Sequence, residues 1–390
     1  MVRTIFLTGA TGFVGSNLTC ELLKQGYKLK LLIRDQKISA DERLEKSLSY
    51  LFDTPEEYKS ARNKIEIING DITCSNLGIA PAVLKELSSE IDLVFHNAAL
   101  ITFDESSRES LERQNIIGTK NVLDFTLKLK QPNFHYVSTA YVCGQEDSAF
   151  REDDLDIGQK FNNPYEETKF KAERLIHEYK EKFNIKVNIY RPSIIVGDSK
   201  TGKALNFMGV YSYIKAVYFM VELFREDIKK EGKRASIAGV SYKGDVLNIP
   251  LRIPGDINKT LNIIPIDYFT KAVTLNLKTT ADSGNTYHIV NSAPPTLGEL
   301  NNAICSIFNI SGIRIVDKDV FSSMPMTEWE KFFIGSIHEV TPYLQRKEPV
   351  FYDSNTRKML MNAEISCPQI IKELVAKLTS YYIKSIKVKR

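Results

Sequence analysis

Residues 8–15 read Thr8-Gly9-Ala10-Thr11-Gly12-Phe13-Val14-Gly15, three glycines at G-x-x-G-x-x-G spacing. The preceding run, RTIFLT over residues 3–8, fits a short buried strand. Residues 13–25 carry apolar side chains at helical spacing until Gly26 stops them. Between the two, Gly9 permits a tight turn, Gly12 lets backbone approach a pyrophosphate, and Gly15 lets helix and strand pack closely. The helix N-terminus offers free N–H groups and partial positive charge to phosphates. Thr8, Gly9, Thr11, Gly12, Phe13, Val14 and Gly15 are therefore expected to bind a dinucleotide. A purely structural turn is the alternative, since glycines also serve turns for steric reasons alone.

Working outward, apolar runs at 28–33, 65–69, 91–95, 134–137 and 186–190 alternate with helical patterns, clearest over 107–130 and 166–183. Such alternation implies right-handed βαβ crossovers and a parallel sheet covered on both faces. The predicted fold class is α/β, a Rossmann-type doubly wound parallel sheet. Beyond Gly197 the alternation fades into an aromatic helix, a basic run (Lys229, Lys230, Lys233, Arg234) and a segment with several Gly and Pro. Apolar patterning returns over about 261–292. The expected division is an NADP-binding Rossmann domain over 1–200, rejoined by about 261–292. A smaller interleaved C-terminal substrate-binding region would then hold 201–260 and 293–390.

Composition limits the function classes. The chain has 390 residues, 43% hydrophobic and 26% charged, as a globular protein with ample core material should. Its 52 basic and 48 acidic residues leave a net charge of +4, which does not indicate a nucleic-acid partner. The five cysteines are scattered without CxxC spacing, and the five histidines form no helical metal-ligand pair, so neither a disulfide framework nor a metal site is expected. The most apolar stretch, 208–224, is interrupted by Lys215 and Glu222, so no transmembrane segment is expected. The first residues enter a strand at once, which leaves no room for a signal peptide, and the expected location is cytoplasmic.

Two further clusters carry chemistry. The second strand ends in Leu32-Ile33-Arg34-Asp35. An arginine at this place suits the 2′-phosphate of NADP, so NADP(H) is expected over NAD(H). Asp71, in Gly70-Asp71-Ile72 after the third strand, either bonds adenine or caps a turn. Tyr165 and Lys169, at i and i+4, share one face at the start of a long helix. A lysine beside a tyrosine favours the phenolate. Lowering a phenol from about 10 to about 7 takes roughly 4 kcal/mol. The pair follows Ser138-Thr139-Ala140-Tyr141-Val142-Cys143-Gly144, whose hydroxyls lie at the carboxyl end of the fifth strand, where ligands of open α/β sheets bind.

These segments, in order, resemble the extended short-chain dehydrogenase/reductase superfamily. Within it they resemble the thioester-reductase and fatty-acyl-reductase branch, the male sterility NAD-binding domain. The matching text is TGATGFVG, LLIRD then ADERL, GDIT, LVFHNAAL, NIIGTKNVL, HYVSTAYVCG, YEETKFKAE and YRPSIIVGDSKTG, over residues 1 to about 210. Weaker echoes are IIPIDYFTKAV and YDSNTRKML. The resemblance implies that Thr139 is the catalytic hydroxyl, with Ser138 structural, and that Tyr165 is the proton donor. It implies that Lys169 bonds the nicotinamide ribose and tunes Tyr165, and that Asn115 supports the lysine. Asn97, Ala98 and Ala99 would line the cofactor together with Asp71 and Ile72. Arg191-Pro192-Ser193 would form the turn beside the nicotinamide. Arg43 is either a second phosphate ligand or a solvated helix charge.

The implied reaction is NADPH-dependent reduction of an acyl thioester, acyl-CoA or acyl-carrier protein, to an aldehyde and onward to an alcohol after a second hydride. The aromatic stretch 207–224 is a candidate acyl wall or an ordinary buried helix. The 229–234 run is a phosphate contact or a solvated face. Cys143 reads as a small packing residue, and the basic end KSIKVKR (384–390) is expected to fray. Sugar-nucleotide epimerases and dehydratases and hydroxysteroid-type dehydrogenases share the glycine turn and the Tyr/Lys pair, and a non-catalytic dinucleotide sensor is a third reading.

Overall fold

A computed structural model describes residues 3–278 and 284–388. Residues 279–283, within the expected 261–292 return, and Lys389 and Arg390 of the basic end lie outside the described residues. The described residues form two compact units. The first takes the chain up to Ser193, then Ile266–Val290 and Phe351–Ser366; the second takes Ile194–Pro265, Asn291–Val350 and the chain from Cys367.

The first unit is built on β1 (Thr4–Thr8), β2 (Lys28–Ile33), β3 (Ile65–Asn69), β4 (Leu93–His96), β5 (Asn133–Val137), β6 (Lys186–Pro192) and β7 (Thr286–Ile289). They make one seven-stranded sheet in the order β7-β6-β5-β4-β1-β2-β3, parallel throughout. The order reverses between β1 and β4, so the carboxyl ends of these two strands flank a crevice. Helices α1 (Phe13–Lys24), α2 (Ala40–Leu48), α3 (Pro164–Phe183) and α4 (Ile266–Lys278) belong to the same unit. Asn163 caps α3 by accepting from Glu166 N at 3.0 Å, Pro164 supplies a preset φ at its first position, and left-handed Asn184 ends it. One core face joins Phe6, Val94, Phe134 and Val187 of the sheet to Val122 and Phe125, and to Ala172 and Ile176 of α3. Each fully buried large apolar side chain contributes about 1.5–3 kcal/mol.

Two elements differ from expectation. The helix expected over 107–130 is broken: a π-turn over Glu112–Ile117 precedes a helix over Gly118–Thr126. Buried Asn115 accounts for the break, because its side chain accepts from Leu100 N at 2.8 Å and donates to Leu100 O at 3.1 Å. Residues 351–366, which the sequence pattern leaves with the second region, pack in the first unit. Buried Glu152 holds them there by accepting from Asn355 N at 2.6 Å and Thr356 N at 3.2 Å.

In the second unit, Val246–Pro254 pairs in parallel with Ile310–Val316 and antiparallel with Ser241–Lys243, while Ile194–Val196 pairs with Ile263–Pro265. The aromatic helix runs over Val210–Lys229 and buries Tyr211, Tyr213, Val217 and Phe224. Tyr213 donates to Asn301 at 2.6 Å, and Phe224 meets Trp329 edge-on at 4.8 Å. That face is the core of its own unit, as the ordinary-helix reading has it. Residues 229–234 are exposed, with Lys230 paired to Glu226. The end expected to fray is helical to Val388, because it continues the helix from Lys372. Among the described residues, no helix is long and apolar enough to cross a membrane, and no His/Cys/Asp/Glu group could hold a metal ion.

Candidate active site

The glycine turn has a distinct reason at each glycine. Gly9 has φ +78°, and a Cβ there would lie 2.7 Å from Ala98 N. At Gly15 a Cβ would come within 2.0 Å of Gly9 O, so α1 could not approach β1 with any larger residue. Gly12 differs: a Cβ would meet Gly9 O alone, at an ordinary 3.5 Å. The fold itself therefore has room at Gly12, and no side chain caps the N–H groups that open α1. Open space above uncapped donors is the arrangement a pyrophosphate fits. Asn97 donates to Gly9 O at 3.3 Å, while the Thr8 hydroxyl accepts from Ala98 N at 3.2 Å and bonds His96 Nδ1 at 2.7 Å. Thr8 is thus fully buried and spent on bracing the turn.

Beside the turn, two arginines gather. Arg43, on α2, donates to Arg34 O at 2.7 Å and to Thr11 Oγ1 at 3.4 Å. Arg34 pairs with Asp71 at 3.5 Å. Burial opposes ionisation of Asp71, but the Thr73 N–H and hydroxyl and the Arg34 guanidinium together hold its carboxyl below the usual range. Asp35 instead bonds the Asn69 amide. Ile72 is a core residue, whose Cδ1 would lie 2.7 Å from a Cβ on Gly118.

Thr139 lies two residues beyond β5 and accepts from Tyr141 N at 3.2 Å, capping a short 3-10 turn over Ala140–Cys143. Its hydroxyl proton is left to donate. Tyr165 opens α3 and packs against Phe103 at 6.1 Å. Lys169, one turn on, is 2% exposed and donates to Tyr136 Oη at 2.6 Å and to Val137 O at 2.7 Å. The ammonium therefore engages Tyr136, which the sequence reading missed. The only sequence signal was position, on β5 two residues before Ser138. Burial pulls Lys169 down to about 7, against the pull of Glu173. Burial and the adjoining Glu166 carboxylate push the Tyr165 phenol up, opposite to the expected lowering.

Three more expectations change in detail. Asn115 does not bond Lys169; its amide donates to Thr168 Oγ1 at 3.1 Å, one residue away on α3. The Arg191 side chain is wholly buried and spent on Glu173, with Nη2 to Oε2 at 2.7 Å, and on Glu152 O at 3.3 Å. It therefore anchors α3 to β6 from inside the first unit. Pro192 ends β6, and Ser193 N donates to Ile289 O at 3.2 Å, while the buried Ser193 hydroxyl has no partner. Ala99 is half-buried beside Ala98, and Cys143 is buried.

A seven-stranded parallel sheet, an uncapped glycine turn at its order reversal and a Tyr/Lys helix beyond β5 define a Rossmann-type dinucleotide-binding domain. A family model for the NAD-binding domain described as male sterility protein matches residues 7–273, and the chain belongs to that family. A linear gramicidin synthase of Brevibacillus parabrevis is 25% identical over 410 residues, covering 98% of this chain and 7% of the relative. Carboxylic acid reductase of Segniliparus rugosus is 29% identical over 224 residues, covering 53% of this chain and 18% of the relative. This chain thus spans a small part of the curated relatives it matches. The terminal R domain from the myxalamid PKS-NRPS biosynthetic pathway shares the fold, with TM-score 0.78 at 24% identity over 98% of this chain and 91% of that one.

Proposed function

We propose that the chain reduces an acyl thioester, delivered on CoA or on a carrier protein, with NADPH as the reductant. The family supports a dinucleotide, and the single observation that carries the NADPH reading is the meeting of Arg43 with Arg34 and Thr11 beside the glycine turn. The turn and the α1 N-terminus would hold the pyrophosphate, and Arg34 and Arg43 the 2′-phosphate. When bound, the dinucleotide supplies a hydride to the thioester carbonyl carbon.

The residues of this chain manage the charge that follows. As the carbonyl oxygen becomes negative, Tyr165 and Thr139 would donate hydrogen bonds to it. Tyr165 suits this role because its raised phenol keeps its proton at neutral pH. Thr139 suits it because its oxygen already accepts from Tyr141 N, which turns the hydroxyl proton outward. When protonated, Lys169 uses two N–H groups on Tyr136 and Val137 and would turn its third to a ribose hydroxyl. Collapse then breaks the C–S bond, the thiolate departs and takes a proton, and an aldehyde remains. The second unit would supply the acyl-binding surface.

The test follows NADPH absorbance with acyl-CoAs, acyl-carrier thioesters, NDP-sugars and steroid ketones. Thioester turnover is expected, with Tyr165→Phe lowering kcat about 100- to 1,000-fold, the usual loss of one oxyanion donor. Turnover confined to a sugar or ketone would overturn the substrate class. NADPH binding without any turnover would make the chain a sensor.

A further inference from the structure

Lys169 bonds a tyrosine whose ring packs on a buried chain of polar side chains. From the glycine turn, Ala98 N donates to Thr8 Oγ1 at 3.2 Å, and Thr8 bonds His96 Nδ1 at 2.7 Å. His96 Nε2 bonds Thr119 Oγ1 at 3.0 Å, and Thr119 donates to Asn115 O at 2.6 Å. Tyr136 meets this chain by packing: its ring lies 5.5 Å from that of His96, and its Oη accepts from Lys169. Thr8, His96, Thr119, Tyr136 and Lys169 are each at most 2% exposed.

The donors run one way. Burial pulls His96 down to about 3, so the imidazole is neutral and carries one proton. Because the Thr119 proton goes to Asn115 O, the Thr119 oxygen accepts, and His96 must hold its proton on Nε2. Nδ1 is then the acceptor for the Thr8 hydroxyl, and the Thr8 oxygen is left to accept from Ala98 N. Buried networks of this kind have few alternative arrangements, because any broken link leaves an unpaired polar group.

We infer that Tyr136 is the positioning residue for Lys169, and that the packing of its ring on His96, which Thr8 and Thr119 hold, couples it to the glycine turn, so that the lysine and the dinucleotide cradle are set as one unit. The inference rests on the reading of Lys169 and the turn as the cofactor site. It assigns work to four polar residues that the proposed chemistry leaves unused. A relay of protons to solvent is not implied, since the chain ends on two backbone groups, Ala98 N and Asn115 O.

Tyr136→Phe, Thr119→Val and Thr8→Val each remove one oxygen with little change of shape, and a thermal melt checks that each variant folds. NADPH affinity is read by fluorescence titration, and kcat and KM by thioester reduction. Tyr136→Phe should lower kcat about tenfold with the thioester KM unchanged, the loss of one hydrogen bond to a charged group. Thr8→Val and Thr119→Val should weaken NADPH binding about tenfold. Tyr136→Phe should weaken NADPH binding as well, and in the Tyr136→Phe/Thr8→Val double variant the two effects on NADPH affinity should combine to less than their product, the mark of one coupled unit. Multiplicative effects on that affinity, or a Tyr136→Phe protein with unchanged kcat, would overturn the inference. A wild-type protein that binds NADPH but reduces no thioester overturns the proposed function instead, and the binding cycle then decides the coupling alone.

Discussion

Arg34 and Arg43 reach the same corner from different elements, and only their sequence separation hid that meeting. Arg34 sits at the end of β2 and Arg43 one turn into α2, and the bond from Arg43 to Arg34 O closes the gap between them. Neither guanidinium is buried by a carboxylate: Arg34 has Asp71 at 3.5 Å and remains partly exposed. An incoming phosphate would therefore replace weak, solvated pairing and not a strong ion pair. Arg34→Gln and Arg43→Gln are each expected to weaken NADPH binding by roughly 10- to 100-fold while leaving NADH binding nearly unchanged. Equal losses for both cofactors in a fluorescence titration would remove the arginines from the 2′-phosphate. The residue types here were legible in the sequence; their partners were not. Lys169 illustrates the same limit, since the i+4 spacing places it near Tyr165 while the bond it makes goes to Tyr136 on β5. Arg191 is another case: only the fold brings Glu173, eighteen residues earlier, against its guanidinium.

At the scale of elements, the glycine turn separates two kinds of constraint that the sequence pattern shows as one. Gly15 is required by the packing of α1 on β1, whereas Gly12 has space for a methyl group in the protein alone. Gly15→Ala should therefore lower thermal stability by several kcal/mol or prevent folding, an overpacking penalty that relaxation can only partly relieve. Gly12→Ala should melt like the parent and bind dinucleotide at least tenfold more weakly, because the methyl would occupy the space of the pyrophosphate. Undiminished binding by Gly12→Ala would move the phosphates away from this helix end. Strands β1 to β3, β5 and β6 were readable because each is a short apolar run closed by a turn signal. The π-turn at Glu112–Ile117 was not, since the periodicity on either side is helical and the cause, the Asn115 to Leu100 bonding, is a contact with a loop. Residues 351–366 return to the first unit through bonds to the Glu152 carboxylate, and nothing local in their sequence announces that partner.

Over the whole molecule, burial of neutral imidazoles sets how the protein meets acid. His96, His135 and His288 are buried in the first unit and pulled from 6.5 down to about 3, by burial first and then by Lys169, Arg3 and Arg191 respectively. His177 is lowered too, again chiefly by burial. Each imidazole is hydrogen-bonded in its neutral form or packed against aromatic rings, as with His135 to Tyr190 at 2.9 Å and His288 stacked on Phe150 at 5.6 Å. Between about pH 3 and 6.5 the unfolded chain therefore binds protons that the folded chain refuses. Because the unfolded state holds more protons there, stability rises with pH through the window and is lost as pH falls below 6.5. Three such groups give a limiting slope of about 4 kcal/mol per pH unit. Carboxylates held low by partners, such as Asp71 and Glu330, lose stability in the same direction but only nearer their own ordinary range. The histidine contribution is thus separable: urea midpoints measured from pH 7 to 5 should already fall steeply, before the carboxylates titrate. A midpoint that stays flat to pH 5 would mean that the imidazoles are hydrated in the folded protein, and with that the dry interior that places Lys169 near 7 and keeps the Tyr165 proton on its phenol would be lost as an explanation.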